Sequence, residues 1–285
     1  MPSALTTATP ARGGCVWPAQ LPCWKAQANP EFSHPLPNLS WRVQPPRLRY
    51  GLLPAVAAHR GTLRSGVAPP TATHSPKKGC TDMKLYFSPG ACSLSPHIVA
   101  EETGLACEYI LASTKTHKLQ DGTDFYSINP LGYVPFLVLD DGQTLREGPV
   151  IVQYLADQVP EKQLIPAPGT MERYRVLEWL NFIGTELHKT FGPLFVPSTP
   201  EAFKATSLGN LRRRFEWLEP QLAGKDYLMG SQFTVADAYL FTVSNWGKYV
   251  GLDLSDLPHL QAYLARVASR PAVQAALRAE GLLKD

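Results

Sequence analysis

At 285 residues, 44% hydrophobic and 18% charged, the chain has enough apolar side chains to bury a substantial core in one or two domains. Its net charge of +3 is unevenly placed: residues 1–82 hold nine Lys and Arg against only Glu31 and Asp82, a net +7, whereas residues 83–285 carry −4. The basic excess belongs to an extension and not to a folded face, which argues against a nucleic-acid surface, and no apolar run reaches bilayer length, which argues against a membrane span. The run Arg212-Arg213-Arg214 reads as a solvated helix face. Cys15, Cys23, Cys80, Cys92 and Cys107 form an odd set without CxxC spacing, and the histidines are scattered. The expectation is no metal and a reducing, cytoplasmic setting.

Residues 1–82 contain 13 of the 27 prolines and no sustained apolar periodicity, so they are expected to be disordered. They lack a secretory apolar core, and their prolines oppose the amphipathic helix of a transit peptide. A strand pattern starts immediately after Met83, so residues 1–82 can be read as a start-site artefact. That strand, Lys84–Phe87, leads through the turn Ser88-Pro89-Gly90 into a helix from Ser93 to Glu102 that ends at Gly104. A second strand covers Cys107–Leu111, a short helix Phe125–Ile128, and a hairpin Phe136–Leu139 and Thr144–Leu145 around Asp140-Asp141-Gly142. A third helix covers Pro149–Gln158. Strand, helix, strand, helix, strand, strand, helix is the thioredoxin-like α/β order, assigned to residues 83–163.

Val159–Gly169, with Pro160, Pro166 and Pro168, reads as a linker, and residues 170–285 read as all-helical. Leu208, Leu211, Phe215, Leu218 and Leu222 alternate spacings of three and four, one apolar stripe of a core helix. Thr234-Val235-Ala236-Asp237 is a capping-box pattern ahead of an apolar run. The last helices cover Leu257–Ser269 and Pro271–Glu280.

Cys92 stands where the first strand hands over to the first helix, where free helical N–H groups are expected to stabilise a thiolate. Cys107, inside its strand, reads as a small buried hydrophobe. Taken together and in order, the fragments Ser88-Pro89-Gly90-Ala91-Cys92-Ser93, Asn129-Pro130 with Val134-Pro135, Arg146-Glu147-Gly148, Glu186-Leu187-His188-Lys189 and Phe233-Thr234-Val235-Ala236-Asp237-Ala238-Tyr239 resemble the glutathione S-transferase family. The resemblance covers essentially all of residues 83–285 and points to the bacterial beta class, with its active-site cysteine.

The resemblance implies a glutathione site. It puts Cys92 beside the glutathione sulfur and makes Tyr133, Val134 and Pro135 the cis-proline turn, whose Val134 backbone pairs with the cysteinyl part of glutathione like an added strand. Glu147 and Gly148, at the start of the third helix, suit the ammonium and carboxylate of a γ-glutamyl end; ordinary helix capping is the alternative for Glu147. His117 is assigned to the glycyl carboxylate. Asn181, Thr185 and His188, four and three residues apart, are expected to share one helix face toward the cleft, with His188 near the reacting sulfur. Phe87 ends the first strand where tyrosine-type classes carry a phenol, which leaves Ser88 and Ser93 as candidate hydroxyl donors.

The implied activity is conjugation of the glutathione thiol to small hydrophobic electrophiles in detoxification, with Cys92 and His188 as the catalytic pair, glutathione as co-substrate and no other cofactor. The alternatives are glutathione-dependent thiol-disulfide exchange through Cys92, and a non-enzymatic ligand carrier or adaptor. A homodimer is the expected assembly.

Overall fold

A computed structural model describes residues 83–284; the expectations for residues 1–82, including Cys15, Cys23 and Cys80, lie outside the described residues. β1 (Lys84–Phe87) pairs in parallel with β2 (Glu108–Leu111) and antiparallel with β3 (Phe136–Val138), which pairs antiparallel with β4 (Thr144–Arg146), giving the sheet order β2-β1-β3-β4. The alternation along β1 sorts its side chains to two faces. Leu85 joins Leu137, Ile98 and Leu155 in the main core, whereas Tyr86 joins Phe136, Phe125, Val134 and Ala112 in a smaller cluster on the other face. That second cluster anchors the segment leading into β3.

α1 (Leu94–Thr103) tolerates Pro96 in its first turn and stops at Gly104, φ 73°, whose N–H returns to the Ala100 carbonyl at 3.0 Å. The expected helix at Phe125–Ile128 is a single 3-10 turn, Phe125–Ser127, capped by Asp124, whose carboxylate accepts the Tyr126 N–H. The hairpin turn is as expected: Gly142 takes φ 81° and Asp141 accepts the Gln143 N–H. α2 (Gly148–Asp157) completes the α/β half.

The rest is helical: α3 (Met171–Phe182), a π turn (Ile183–His188), α4 (Lys189–Phe191), α5 (Glu201–Leu222), α6 (Val235–Ser244), α7 (Gly247–Val250), α8 (Pro258–Ala268) and α9 (Pro271–Ala279). On α5 the predicted stripe buries Leu211, Phe215, Leu218 and Leu222, but Ser207 takes the buried place expected for Leu208. Every residue of α6 is buried, as a helix apolar on all sides must be. The Arg270 guanidinium, between α8 and α9, grips Glu102 of α1 through two bonds of 2.6 and 2.9 Å and lies 4.1 Å over the Phe233 ring, tying the two halves together. No helix among the described residues is long and apolar enough to cross a membrane.

Candidate active site

The loop from β1 to α1 is held from three sides. Ser93, fully buried, accepts the Ser88 N–H at 3.1 Å and lies 3.3 Å from the Ser88 carbonyl, to which its hydroxyl donates. This corrects the expectation of Ser93 as a hydroxyl donor to substrate, because its oxygen is already committed to closing the loop. Gly90 donates its N–H to Glu280 Oε2 at 2.8 Å, and its carbonyl accepts from Trp246 Nε1 at 2.8 Å. Two residues on, the Cys92 thiol donates to the Val134 carbonyl at 3.1 Å.

Burial pushes Cys92 up to about 12, with Glu147 adding to the rise and the N–H groups of Cys92 and Ser93 pulling it down. The helix terminus therefore acts in the expected direction but loses to desolvation, and the resting group is a thiol. Burial likewise pushes Cys107, on the edge of β2, up to about 12.

The Val134–Pro135 peptide bond is cis. The Asn129 amide donates to the Tyr133 carbonyl at 2.8 Å, and Arg146 Nε donates to Asn129 Oδ1 at 3.2 Å, so β4 braces the turn. Tyr133 is exposed and Val134 is buried; among the described residues the Val134 N–H has no hydrogen-bond partner. A backbone amide left open beside a thiol is what an added peptide strand uses. Gly148 packs its backbone toward Pro135, so the N-terminus of α2 lies against the same turn. Glu147 precedes it at φ 67°, exposed, with no side-chain hydrogen bond among the described residues, a left-handed conformation that costs a non-glycine residue energy and recurs at binding sites.

His117, also left-handed at φ 52°, lies with Nδ1 3.1 Å from the Gly132 carbonyl and its ring 4.6 Å from Tyr126. A carbonyl can only accept, so Nδ1 carries the hydrogen and Nε2 meets a carboxylate only as imidazolium. Gly132, φ 65°, leaves room for this pair: a Cβ there would stand 2.5 Å from Tyr126 Cε1 and 2.9 Å from His117 Nδ1. Gly132→Ala is accordingly expected to cost about 2 kcal/mol, read from the urea midpoint, through left-handed strain and collision together. An unchanged midpoint would show that Tyr126 swings freely aside.

In the helical half, His188 Nδ1 lies 2.6 Å from the Tyr239 hydroxyl, with Trp246 edge-on to the imidazole at 4.8 Å. Burial, and then Lys189, lower His188 to about 4, so the ring is neutral at physiological pH. Tyr239 is raised above the ordinary phenol value chiefly by burial, with the Glu147 carboxylate adding to the rise. The Tyr239 hydroxyl thus ties His188 to α6. Asn181 and Thr185 are placed differently: both are exposed, and Asn181 lines a surface pocket of about 460 Å³ with Met171, Tyr174 and Arg175. Thr185 and His188 lie within the π turn Ile183–His188, whose extra residues per turn break the α-helical spacing that the shared face assumes.

Sequence reasoning read Tyr239 only as core and missed Trp246 and Glu280. The capping-box fragment that ends at Tyr239 was a usable signal for the first; the other two meet Gly90 across 156 and 190 residues and leave no local trace. Among the described residues no group of three or more His, Cys, Asp or Glu could hold a metal ion.

Comparison with known proteins agrees with this geometry. The family models for the glutathione S-transferase N-terminal and C-terminal domains match residues 90–158 and 182–271. Glutathione S-transferase GstA of Escherichia coli O157:H7 is 46% identical over 200 residues, 70% of this chain and 100% of its own. A sphingomonad glutathione S-transferase solved in complex with glutathione is 47% identical with a TM-score of 0.68, and a bacterial beta class enzyme of Sphingomonas chungbukensis is 46% identical with a TM-score of 0.68. Each of these solved structures covers 70% of this chain and is itself covered completely. With its four-stranded sheet, its helical half and the Cys92 loop between them, the chain belongs to the glutathione S-transferase family and is most like the bacterial beta class.

Proposed function

We propose that this glutathione S-transferase binds glutathione on residues 83–163, against Cys92, the Val134 backbone and the N-terminus of α2, and joins its thiol to small hydrophobic electrophiles seated against residues 170–285. The observation that carries the reading is the open Val134 amide beside the Cys92 thiol, 3.1 Å from the carbonyl of the same residue. An extended cysteinyl peptide pairing there brings its sulfur to Cys92. Gly148, at the α2 terminus, suits the γ-glutamyl carboxylate, Glu147 the ammonium, and His117 the glycyl carboxylate once protonated. His188 serves the reacting sulfur, Tyr133 covers the turn, and Asn181 and Thr185 lie on the exposed face of α3 and its π turn. In the reaction the glutathione thiolate attacks an electrophilic carbon and the leaving group departs with the bonding pair, giving a thioether. A homodimer acting in cytoplasmic detoxification fits this chemistry.

The burial that holds Cys92 as a thiol favours conjugation over disulfide exchange, since exchange needs the Cys92 thiolate as nucleophile. The test uses the full chain with glutathione and a chloronitrobenzene, with glutathione-dependent disulfide reduction run in parallel. Saturable conjugation is the expected result. Reduction alone would move the protein to thiol-disulfide exchange, and silence in both with no glutathione binding would leave an adaptor. Cys92→Ala is expected to change conjugation and abolish any glutathione adduct mapped to that peptide by mass spectrometry, whereas Cys107→Ala leaves both intact; equal effects would remove Cys92 from the site.

A further inference from the structure

We propose that Tyr239 is a positioning residue whose hydroxyl fixes the tautomer of His188, so that the imidazole presents an Nε2–H donor, and not a base, to the reacting sulfur. The proposal deepens the functional reading above and rests on it.

The argument is one of hydrogen-bond accounting. Tyr239 lies on the fully buried helix α6 and is 2% exposed. Its only hydrogen bond among the described residues is the 2.6 Å contact with His188 Nδ1. A buried hydroxyl is costly to leave without an acceptor, and only Nδ1 is within reach, so the phenol donates and Nδ1 accepts. An accepting Nδ1 carries no hydrogen, and a neutral imidazole then holds its hydrogen on Nε2. That the ring is neutral follows from its burial and from Lys189 beside it.

Among the described residues Nε2 has no hydrogen-bond partner, and the buried side-chain polar atoms that lack one are His97 Nε2 and Ser244 Oγ; His188 Nε2 is therefore accessible and free to donate to a bound group. Its direction is held by Trp246, edge-on to the ring, whose own indole N–H anchors Gly90 two residues before Cys92. Gly184 in the π turn passes over the phenol, where a Cβ would stand 3.7 Å from the Tyr239 oxygen. The ionisable groups facing the pair are Cys92 and Glu147 toward Tyr239 and Lys189 toward His188. With Nδ1 occupied and Nε2 already protonated, His188 has no lone pair to take the thiol proton. That proton leaves to water, and the Nε2–H stabilises the sulfur lone pair that remains.

The test is made on the full-length protein with glutathione bound, by long-range ¹H–¹⁵N correlation of the His188 ring and by the ultraviolet absorbance of the bound thiolate against pH. The wild type is expected to show the Nε2–H tautomer. Tyr239→Phe, which keeps the ring and its packing, is expected to give mixed tautomers, a raised bound-thiol pKa and a kcat lower by about tenfold with little change in KM. His188→Gln, whose amide supplies a donor but no base, is expected to retain more activity than His188→Ala. An unchanged His188 tautomer in Tyr239→Phe, or equal activity of the Gln and Ala variants, would overturn the proposal. Failure of the wild type to bind glutathione in calorimetry would overturn the site reading, whereas the His188 tautomer recorded in the ligand-free protein and in Tyr239→Phe tests the Tyr239 contact by itself.

Discussion

An Asp237→Ala variant is expected to lose about 4 kcal/mol of unfolding free energy at neutral pH, read from the shift of its urea midpoint. Asp237 is wholly buried in the first turn of α6, and four donors converge on its carboxylate. The Leu228 N–H and the Tyr263 hydroxyl meet Oδ1 at 2.8 and 3.0 Å, and the Thr234 N–H and hydroxyl meet Oδ2 at 2.8 and 3.0 Å. Alanine leaves these donors facing an apolar void inside a helix that is buried along its whole length, where little can relax. Asparagine is expected to help only partly, because its amide nitrogen would turn N–H groups toward one of the two donor pairs. The pH dependence has a definite sign. Burial pushes the carboxyl from 3.8 up to about 6, against the pull of its donors. The native state then holds the proton more tightly than the unfolded chain, so this contribution is fullest below about pH 4 and declines as pH rises through about 6. The gap between wild type and Asp237→Ala is therefore expected to widen as pH is lowered from 7 to 4. A gap that narrows would mean that the four donors outweigh burial.

Asp237 also shows what kind of information the sequence carried. Its capping role, the Gly142 turn and the stop at Gly104 are all local: each depends on residues a few positions apart, and the structure places them as expected, as it does the order of strands and helices along the α/β half. The Cys92 loop and the cis turn at Val134–Pro135 were legible as fragments, because the residue types that close such turns are few. What failed was reasoning that assumed ideal geometry or ignored distance in sequence. Asn181, Thr185 and His188 fit an α-helical face until the π turn intervenes, and nothing in Ile183-Gly184-Thr185 announces it beyond a glycine. The thiolate expected at Cys92 followed from the helix terminus alone, whereas desolvation depends on what the folded chain packs around the thiol, the Val134 carbonyl 42 residues away included. Local patterns predict backbone; burial, which sets the chemistry, is a property of the finished fold.

The second large effect is expected at Glu280, just beyond α9, where Glu280→Ala should cost about 3 kcal/mol and loosen the Cys92 loop. Glu280 is 6% exposed, and its two oxygens do separate work: Oε1 lies 2.9 Å from Nδ1 of the fully buried His97, and Oε2 accepts the Gly90 N–H at 2.8 Å. His97 is wedged between Phe87 and Tyr109, the latter ring 3.9 Å away, and its Nε2 has no partner. Removing the carboxylate therefore leaves the histidine with no hydrogen bond at all and frees the Gly90 N–H, in a place too enclosed for the rings to shift. Trp246 still holds the Gly90 carbonyl, so the loop is expected to pivot on one bond and not to unfold. Its displacement would carry Cys92 off the Val134 carbonyl and blur the position of the glutathione sulfur. Glu280→Gln separates the contributions, because a glutamine can still accept the Gly90 N–H through its oxygen but turns a donor toward His97. It is expected to recover most of the kcat lost in Glu280→Ala while remaining less stable than wild type. Equal stability and equal kcat in both variants and the wild type would show that Glu280 grips neither residue in solution.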